Sequence, residues 1–313
     1  MMERREFLAR CGGLAGIAAT AMPSSFGKSL AAPAPGAPQY YNTTKLLRAG
    51  VSSSSFRNYF SATRAAGFSK PGPMIALLDF PEIIADRYQI HRLEFAAAHF
   101  ATRESAYLAQ LRRQLGRARS RLVNIDIPSA NDGGGLSDRD PSARRASIAA
   151  VKQWIDVARV LGGVSVRANP GAINPADLSP TLDSYRELAA YGRLRRISVL
   201  IENETGLDPG ILIDIIREAG GRGLGALPGF DKFPSAAARA AGLDLLFPHA
   251  SAVCHAGGIS FDSGGNETTF DFKGCIEIAK RFRFRGIYSV EYGGTGDPYQ
   301  GVQHVVNELI RYL

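Results

Sequence analysis

The stretch Ile197-Ser198-Val199-Leu200-Ile201-Glu202-Asn203-Glu204-Thr205-Gly206 decides the fold of this 313-residue chain. Its apolar, β-branched first half, which ends in polar residues and a glycine, predicts a buried β-strand at 197–202. Segments with a helical period flank this strand at 182–192 and 209–218. A buried strand between two helices is the repeating unit of a parallel α/β sheet.

The same unit recurs along the chain from about residue 47. Further strands are predicted at 47–52, 89–95, 122–128, 164–169, 223–227, 251–255 and 287–291. Further helices are predicted at 103–119, 143–161, 270–282 and 301–313. Eight strands that alternate with helices predict an α/β protein with a single (β/α)8 TIM barrel over residues 46–313. An open doubly wound sheet is disfavoured because no predicted strand leads into a Gly-x-Gly-x-x-Gly turn.

The first 45 residues differ in character from the rest. Arg4 and Arg5 precede a short apolar run at 11–22 that is rich in Ala and Gly, and small residues follow. A twin-arginine pair in this setting predicts a signal peptide at 1–34 that the twin-arginine export machinery recognises. Residues 35–45 are then a linker. Because the apolar run is too short to span a bilayer, we expect a periplasmic or secreted protein without a membrane anchor.

Composition excludes several classes of function. The chain is 45% hydrophobic and 21% charged, as globular proteins are. Loss of the signal lowers the net charge from +8 to +6, since residues 1–34 carry four basic and two acidic side chains. The arginines are scattered along predicted helices without aromatic platforms, so no nucleic-acid partner is expected. Three cysteines are too few for a disulfide framework, and Cys254 and Cys275 are expected to be small buried residues.

Three predicted strands end in groups that can transfer a proton or bind a metal. Strand five ends at Glu202, strand seven at His255 and strand eight at Glu291. Such groups converge at the C-terminal mouth of a barrel, where an isolated charge is costly unless it is paired or metal-bound. Two carboxylates and an imidazole suit a divalent cation such as Mn, Mg or Zn. They also suit proton transfer at a carbon next to a carbonyl.

The ordered strand ends resemble the xylose-isomerase-like TIM-barrel superfamily, the sugar phosphate isomerase/epimerase group, over nearly the whole mature chain. The motifs that carry the resemblance are Val166-Arg167-Ala168-Asn169-Pro170-Gly171, Ile201-Glu202-Asn203, Leu227-Pro228-Gly229-Phe230-Asp231, Cys254-His255-Ala256 and Val290-Glu291-Tyr292. The resemblance implies a metal held by Glu, Asp, His and Glu from strands five to eight. These ligands map onto Glu202, the strand-six position, His255 and Glu291.

The strand-six position departs from the family pattern. The family's Asp corresponds to Gly229, and the His or Asn three residues later corresponds to Lys232. Asp231 lies two residues after Gly229 and faces the same way if extended geometry continues, so it is a candidate displaced ligand. Alternatively, the Lys232 ammonium stands where a metal or a substrate-contacting His would be, which leaves a metal-free or weakly metal-binding site.

Other polar residues at strand ends are candidates for substrate binding, together with Lys232. Glu94 on strand two either contacts a substrate hydroxyl or pairs with Arg92 or Arg167. Arg167 either holds a hydroxyl, carboxylate or phosphate, or neutralises a neighbouring carboxylate. Glu204 stands near where relatives often have His.

These features lead to three functional hypotheses, each compatible with a homo-oligomer. The first is an exported enzyme that isomerises or epimerises a sugar or sugar derivative, or acts as a lyase on modified glycosides, with Glu202 and Glu291 as the acid–base pair. The second is a non-catalytic carbohydrate-binding barrel with a degraded metal site. The third is a nuclease of the AP-endonuclease branch of the superfamily, which is disfavoured because that chemistry uses many His ligands and this chain has five His.

Overall fold

The computed structural model describes residues 43–68, 74–128, 135–204, 206–221 and 223–313. The predicted signal peptide at 1–34 and the first part of the predicted linker, residues 35–42, lie outside the described residues. Among the helices that are described, none combines the length and the apolar character needed to cross a membrane.

Eight parallel strands form the barrel wall. They are β1 (Ala49–Ser52), β2 (Arg92–Ala96), β3 (Arg121–Ile127), β4 (Ser165–Ala168), β5 (Ser198–Glu202), β6 (Leu224–Leu227), β7 (Val253–Gly258) and β8 (Ile287–Tyr292). They pair continuously in the order β6-β5-β4-β3-β2-β1-β8-β7. Isolated parallel bridges, from Ala226 to Ala250 and from Gly229 to His255, connect β6 to the β7 side. The predicted (β/α)8 TIM barrel is therefore confirmed, and every predicted strand overlaps an observed one.

Helices surround this wall. They are α1 (Thr43–Leu46), α2 (Phe80–Tyr88), α3 (Ser105–Arg117), α4 (Pro141–Leu161), α5 (Ser179–Arg195), α6 (Pro209–Ile215), α7 (Ala236–Leu246), α8 (Phe272–Arg281) and α9 (Pro298–Tyr312). Asp140, Asp208 and Asp297 cap α4, α6 and α9, since each side chain accepts a hydrogen bond from an N–H of the first turn. The sequence patterns did not predict α2 or α7. In α7 alanines fill much of the helix and leave little periodic contrast between apolar and polar positions.

Among the described residues, buried apolar side chains form two separate clusters. The large cluster contains most of the buried apolar residues, including Cys254 and Cys275, which are buried free thiols as predicted. The small cluster consists of Val123, Leu200, Leu227 and Val253. Leu200 and Val253 stand two residues before the charged ends of β5 and β7, so they share a strand face with those charges. The small cluster is therefore the apolar floor inside the barrel, beneath the polar groups.

Candidate functional site

Charged side chains line the C-terminal mouth of the barrel above this floor. They are Glu94 on β2, Asp126 on β3, Arg167 on β4, Glu202 on β5, Asp231 and Lys232 after β6, His255 on β7 and Glu291 on β8. Side-chain exposure rises from 0% for Glu94 and 1% for His255 to 21% for Glu291 and 23% for Lys232. The cluster thus has a buried lower layer and an upper layer that a ligand can reach.

His255 is the centre of the lower layer. Its Nδ1 lies 2.7 Å from Glu202 Oε1 and 3.3 Å from Glu291 Oε2, and its Nε2 lies 3.0 Å from Glu94 Oε1. Because an ionised carboxylate can only accept hydrogen bonds, both ring nitrogens act as donors. Burial opposes the positive charge, but Glu94, Glu202 and Glu291 outweigh it and raise the pKa of His255 well above its ordinary value. His255 is therefore an imidazolium that links carboxylates from three strands.

Arg167 binds the carboxylates on the other side of the cluster. It donates hydrogen bonds from Nε to Asp126 and from Nη1 to Glu202, and Nη1 also lies 3.1 Å from Glu204 Oε1. Burial opposes its charge, but Asp126 and Glu202 hold the pKa of Arg167 well above the ordinary value. Of the two roles predicted for Arg167, neutralisation of a neighbouring carboxylate is the one that these contacts display.

Glu202 and Glu291 have opposite tendencies to hold a proton. Burial favours the neutral form of Glu202, but the charges of His255 and Arg167 outweigh it and lower the pKa of Glu202. Burial dominates at Glu291 and raises its pKa, against the attraction of His255 and Lys232. Glu291 Oε2 accepts no well-formed hydrogen bond from the described residues. Two neighbouring carboxylates whose pKa values are pushed apart are typical of an acid–base site.

Lys232 and Asp231 form an ion pair in the upper layer. Lys232 Nζ donates a hydrogen bond to Asp231 Oδ2 at 3.0 Å. Burial opposes the ammonium, but Glu291, Asp231 and Glu202 together raise the pKa of Lys232. Asp231 Oδ1 is buried without a hydrogen-bond partner among the described residues, and it fills the space beside Gly257 on β7. Asp231 is therefore bound to Lys232 within the barrel mouth.

Asparagine side chains hold the strand ends in place. Asn203 accepts a hydrogen bond from the Gly229 backbone N–H at 2.7 Å and donates one to the Gly229 carbonyl at 3.2 Å. Asn169 Oδ1 accepts a hydrogen bond from the Glu202 backbone N–H at 2.9 Å. Both asparagines lie in the motifs at the ends of β4 and β5, but no role was predicted for them. The signal that could have found them is an amide side chain directly beside a charged strand end.

Glu94 has different partners from those predicted. It accepts a hydrogen bond from Asn124 Nδ2 at 2.9 Å and pairs with His255, whereas its predicted partners were Arg92 and Arg167. Burial opposes ionisation, but the charge of His255 and the hydrogen bonds to Glu94 outweigh it and lower the pKa of Glu94. The side chain of Glu94 is fully buried, and it holds the His255 ring in place through the contact with Nε2.

The predicted metal ligands are only partly brought together. Glu202 and Glu291 both contact His255 Nδ1. Asp231, however, is paired with Lys232, and residue 229 is a glycine without a side chain. Both His255 nitrogens and both Glu202 oxygens already take part in ion pairs within the cluster. Within the described ranges, no three His, Cys, Asp or Glu side chains are arranged to hold a metal ion. This donor set does not fit a divalent metal.

Solved structures of several other proteins share this architecture. The chain is similar to a D-tagatose 3-epimerase-like protein, with 15% identity and a TM-score of 0.65 over 84% of this chain and 97% of that one. It is similar to D-psicose 3-epimerase in the presence of D-fructose, with 14% identity and a TM-score of 0.62 over 84% and 96% of the two chains. It is also similar to a xylose isomerase-like TIM barrel protein from Mycobacterium smegmatis in complex with magnesium, with 12% identity and a TM-score of 0.61 over 85% and 96%. No protein-family model matches the sequence, and no curated protein matches it. At these identities the similarity shows the fold alone.

Proposed function

We propose that this chain is an enzyme that isomerises or epimerises a sugar or sugar derivative by proton transfer at a carbon next to a carbonyl. The observation that carries the proposal is the divergence of the pKa values of Glu202 and Glu291, two carboxylates that share His255 Nδ1. The names of the structural neighbours, two of which refer to ketose 3-epimerases, support the substrate class.

Glu291 is the proton carrier in this proposal. Its pKa is raised by burial and its side chain is 21% exposed, and both properties suit a general base that a substrate can reach. Its carboxylate takes the proton from the carbon, and the C–H electron pair forms an enolate whose negative charge lies on the former carbonyl oxygen. Return of the proton to the neighbouring carbon, with transfer of that site's hydroxyl proton to the former carbonyl oxygen, gives an isomer. Delivery of a proton by water to the opposite face, while Glu291 releases its own proton to solvent, gives an epimer. Glu202 remains ionised and positions His255.

The rim of the site suits an uncharged polyol. The side chains of Asp231 and Glu291 are 11% and 21% exposed, and their carboxylates can accept hydrogen bonds from hydroxyl groups. In the charged cluster that the structure describes, the charges of Arg167 and Lys232 are each offset by carboxylates, so neither attracts a phosphate as an isolated cation would. The substrate class that follows is an unphosphorylated sugar or sugar derivative.

Product formation tests the proposal. The protein is incubated with D-tagatose, D-fructose or D-psicose, and new sugars are resolved by chromatography and NMR. We expect Glu291→Gln to lower turnover by ~100-fold or more, the range of a lost general base. Glu187→Gln, which removes an exposed charge paired with Lys152, is the matched control and should retain activity. Sugar binding without turnover in the wild type would contradict an enzyme.

That outcome would favour a second candidate, a carbohydrate-binding barrel without catalysis. Gly229 and Lys232 motivate it, because they replace the two strand-six positions that carry polar ligands in the family that the sequence resembles. A binding protein would hold a sugar with an affinity that Glu202→Gln leaves almost unchanged.

We further propose that the enzyme is exported, on the basis of Arg4 and Arg5 ahead of the apolar run at 11–22. Cell fractionation tests this with the full chain. The Arg4→Lys, Arg5→Lys double variant should accumulate inside the cell. Equal export of the variant and the wild type would contradict twin-arginine recognition.

A further inference from the structure

The space next to Gly229 is already occupied. A Cβ atom placed on Gly229 would lie 2.8 Å from Glu202 Oε1 and 2.8 Å from Lys232 Cγ, closer than carbon atoms approach without displacement. The methylenes of Lys232 therefore fill the volume that a strand-six side chain would enter. That volume borders the Glu202 carboxylate, where the family resemblance implies a metal-binding Asp.

The Lys232 ammonium brings positive charge to the same place. Its Nζ lies 3.0 Å from Asp231 Oδ2, and its side chain is 23% exposed at the mouth of the barrel. Glu291, Asp231 and Glu202 are the carboxylates that stabilise its charge. Lys232 and Arg167 each place one positive charge among the carboxylates. Their combined charge equals that of one divalent cation.

The carboxylate oxygens of Glu202, which would be metal ligands, already contact cationic side chains. Glu202 Oε1 lies 2.7 Å from His255 Nδ1, and Glu202 Oε2 accepts a hydrogen bond from Arg167. A metal ion would have to displace these contacts and then lie near three cationic groups in a poorly solvated site. Such like-charge contacts are costly where the dielectric constant is low.

We propose that Lys232 replaces the divalent cation, so that the site performs proton transfer without a metal. This inference rests on the proposed function. Glu291 removes the proton from the carbon, the C–H electron pair moves into the new C=C bond, and the carbonyl oxygen becomes negative. The Lys232 ammonium donates a hydrogen bond to that oxygen and retains its own proton. Glu291 then protonates the neighbouring carbon while the hydroxyl proton moves to the former carbonyl oxygen, or water protonates the first carbon from the opposite face while Glu291 releases its proton to solvent. A carbonyl is restored in either case, so no oxidant or reductant is required.

Metal titration of the mature protein tests the inference without reference to activity. After dialysis against EDTA, the wild type is titrated with MnCl2 in a calorimeter, and its metal content is measured by elemental analysis. We expect less than ~0.1 equivalent of bound Mn²⁺, as for a site whose donors are occupied by cations. About one equivalent in the wild type that is lost in Glu202→Gln would overturn the inference.

A designed gain of metal binding gives the opposite readout. The Gly229→Asp, Lys232→His double variant restores both family positions and shortens the side chain that fills the space beside residue 229. We expect it to bind about one equivalent of Mn²⁺. If it binds no more Mn²⁺ than the wild type while its circular dichroism spectrum is unchanged, Lys232 is not what excludes the metal, and the inference is overturned.

Turnover separates this inference from the proposed function. Lys232→Met keeps most of the side-chain volume and removes the charge, so we expect a loss of ~100-fold or more in kcat, the range for an electrostatic donor to a developing oxyanion. Lys152→Met, at an exposed ion pair, is the matched control. Turnover that EDTA abolishes and Mn²⁺ restores would overturn the inference but leave the sugar isomerase proposal intact. Absence of turnover on every sugar would contradict the isomerase, whereas the metal titration would still decide whether Lys232 excludes a cation.

Discussion

Replacement of Arg167 by methionine should destabilise the barrel more than any surface ion-pair variant. Met fills much of the same volume but leaves Glu202 Oε2 and Asp126 Oδ1 without their cation. The side chains of these two residues are 2% and 14% exposed, so water cannot fully replace the guanidinium. The variant therefore leaves buried charge that is offset by the direct contact from His255 to Glu202 and by the charge of Lys232.

Removal of one partner of a buried ion pair typically costs about 3–5 kcal/mol. The partial exposure of Asp126 and the retained bond from His255 place the expected loss in free energy of unfolding near the lower end, at about 3 kcal/mol. Without Arg167 the folded-state pKa values of Glu202 and Asp126 rise. A raised folded-state pKa means that the folded protein binds more protons, so the deficit should be largest at pH 8 and should shrink as the pH falls towards 5.

Urea unfolding followed by circular dichroism at pH 8 and pH 5 measures both effects. Arg195→Met is the matched control, because Arg195 pairs with Asp156 at the surface with both side chains at least 40% exposed. That variant should unfold at nearly the wild-type urea concentration. A loss below about 1 kcal/mol for Arg167→Met at pH 8, the range of a surface pair, would refute the account of a buried and electrostatically coupled cluster. A loss that does not change with pH would refute it as well.

Three further predictions concern single residues. Asn203→Ala leaves the Gly229 backbone N–H and carbonyl unpaired, so we expect a loss of about 1–3 kcal/mol in urea unfolding, and no change would contradict the contacts. His99 is buried and its pKa is about 4, so its imidazole should remain neutral at pH 5.5 by NMR, whereas a midpoint above 6 would contradict this burial. The neutral ring stabilises the fold fully above the ordinary pKa of 6.5, and acidification to about 4 should remove about 3 kcal/mol. Glu291 must be ionised to accept a proton, so kcat/KM should fall on acidification at a pH above the ordinary glutamate value of 4.5, and a fall only below that value would exclude it as the base.

The fold was predictable because its signal is periodic and repeated. Each buried strand is a short apolar run, and the eight runs alternate with segments of helical period along the chain. Errors occurred where the periodic signal is weak, as in the alanine-rich α7, and at the ends of elements. For example, β7 extends to Gly258, beyond the predicted end at residue 255, because its last glycines still pair with β8.

The positions of the site residues followed from the fold, but their partners did not. A parallel barrel brings the ends of β5, β7 and β8 together, so Glu202, His255 and Glu291 were expected to meet. Glu94 lies opposite Asn124, which donates a hydrogen bond to it, because the register between β2 and β3 is irregular after Leu93 and Leu122. A single sequence does not reveal such a bulge. Nor does it reveal that the side chain of Lys232 turns back into the space beside Gly229.

In the proposed reaction Glu291 moves a proton between carbon and solvent, and deuterium exchange measures this step most directly. The mature protein and its Glu291→Gln variant are incubated in heavy water with D-tagatose or D-fructose, and deuterium at the carbon next to the carbonyl is followed by NMR. We expect the wild type to incorporate deuterium in the presence of EDTA, and the variant to do so at a rate at least ~100-fold lower. Equal incorporation by both proteins would contradict the role of Glu291, and absence of incorporation with a bound sugar would contradict proton transfer as the function of the site.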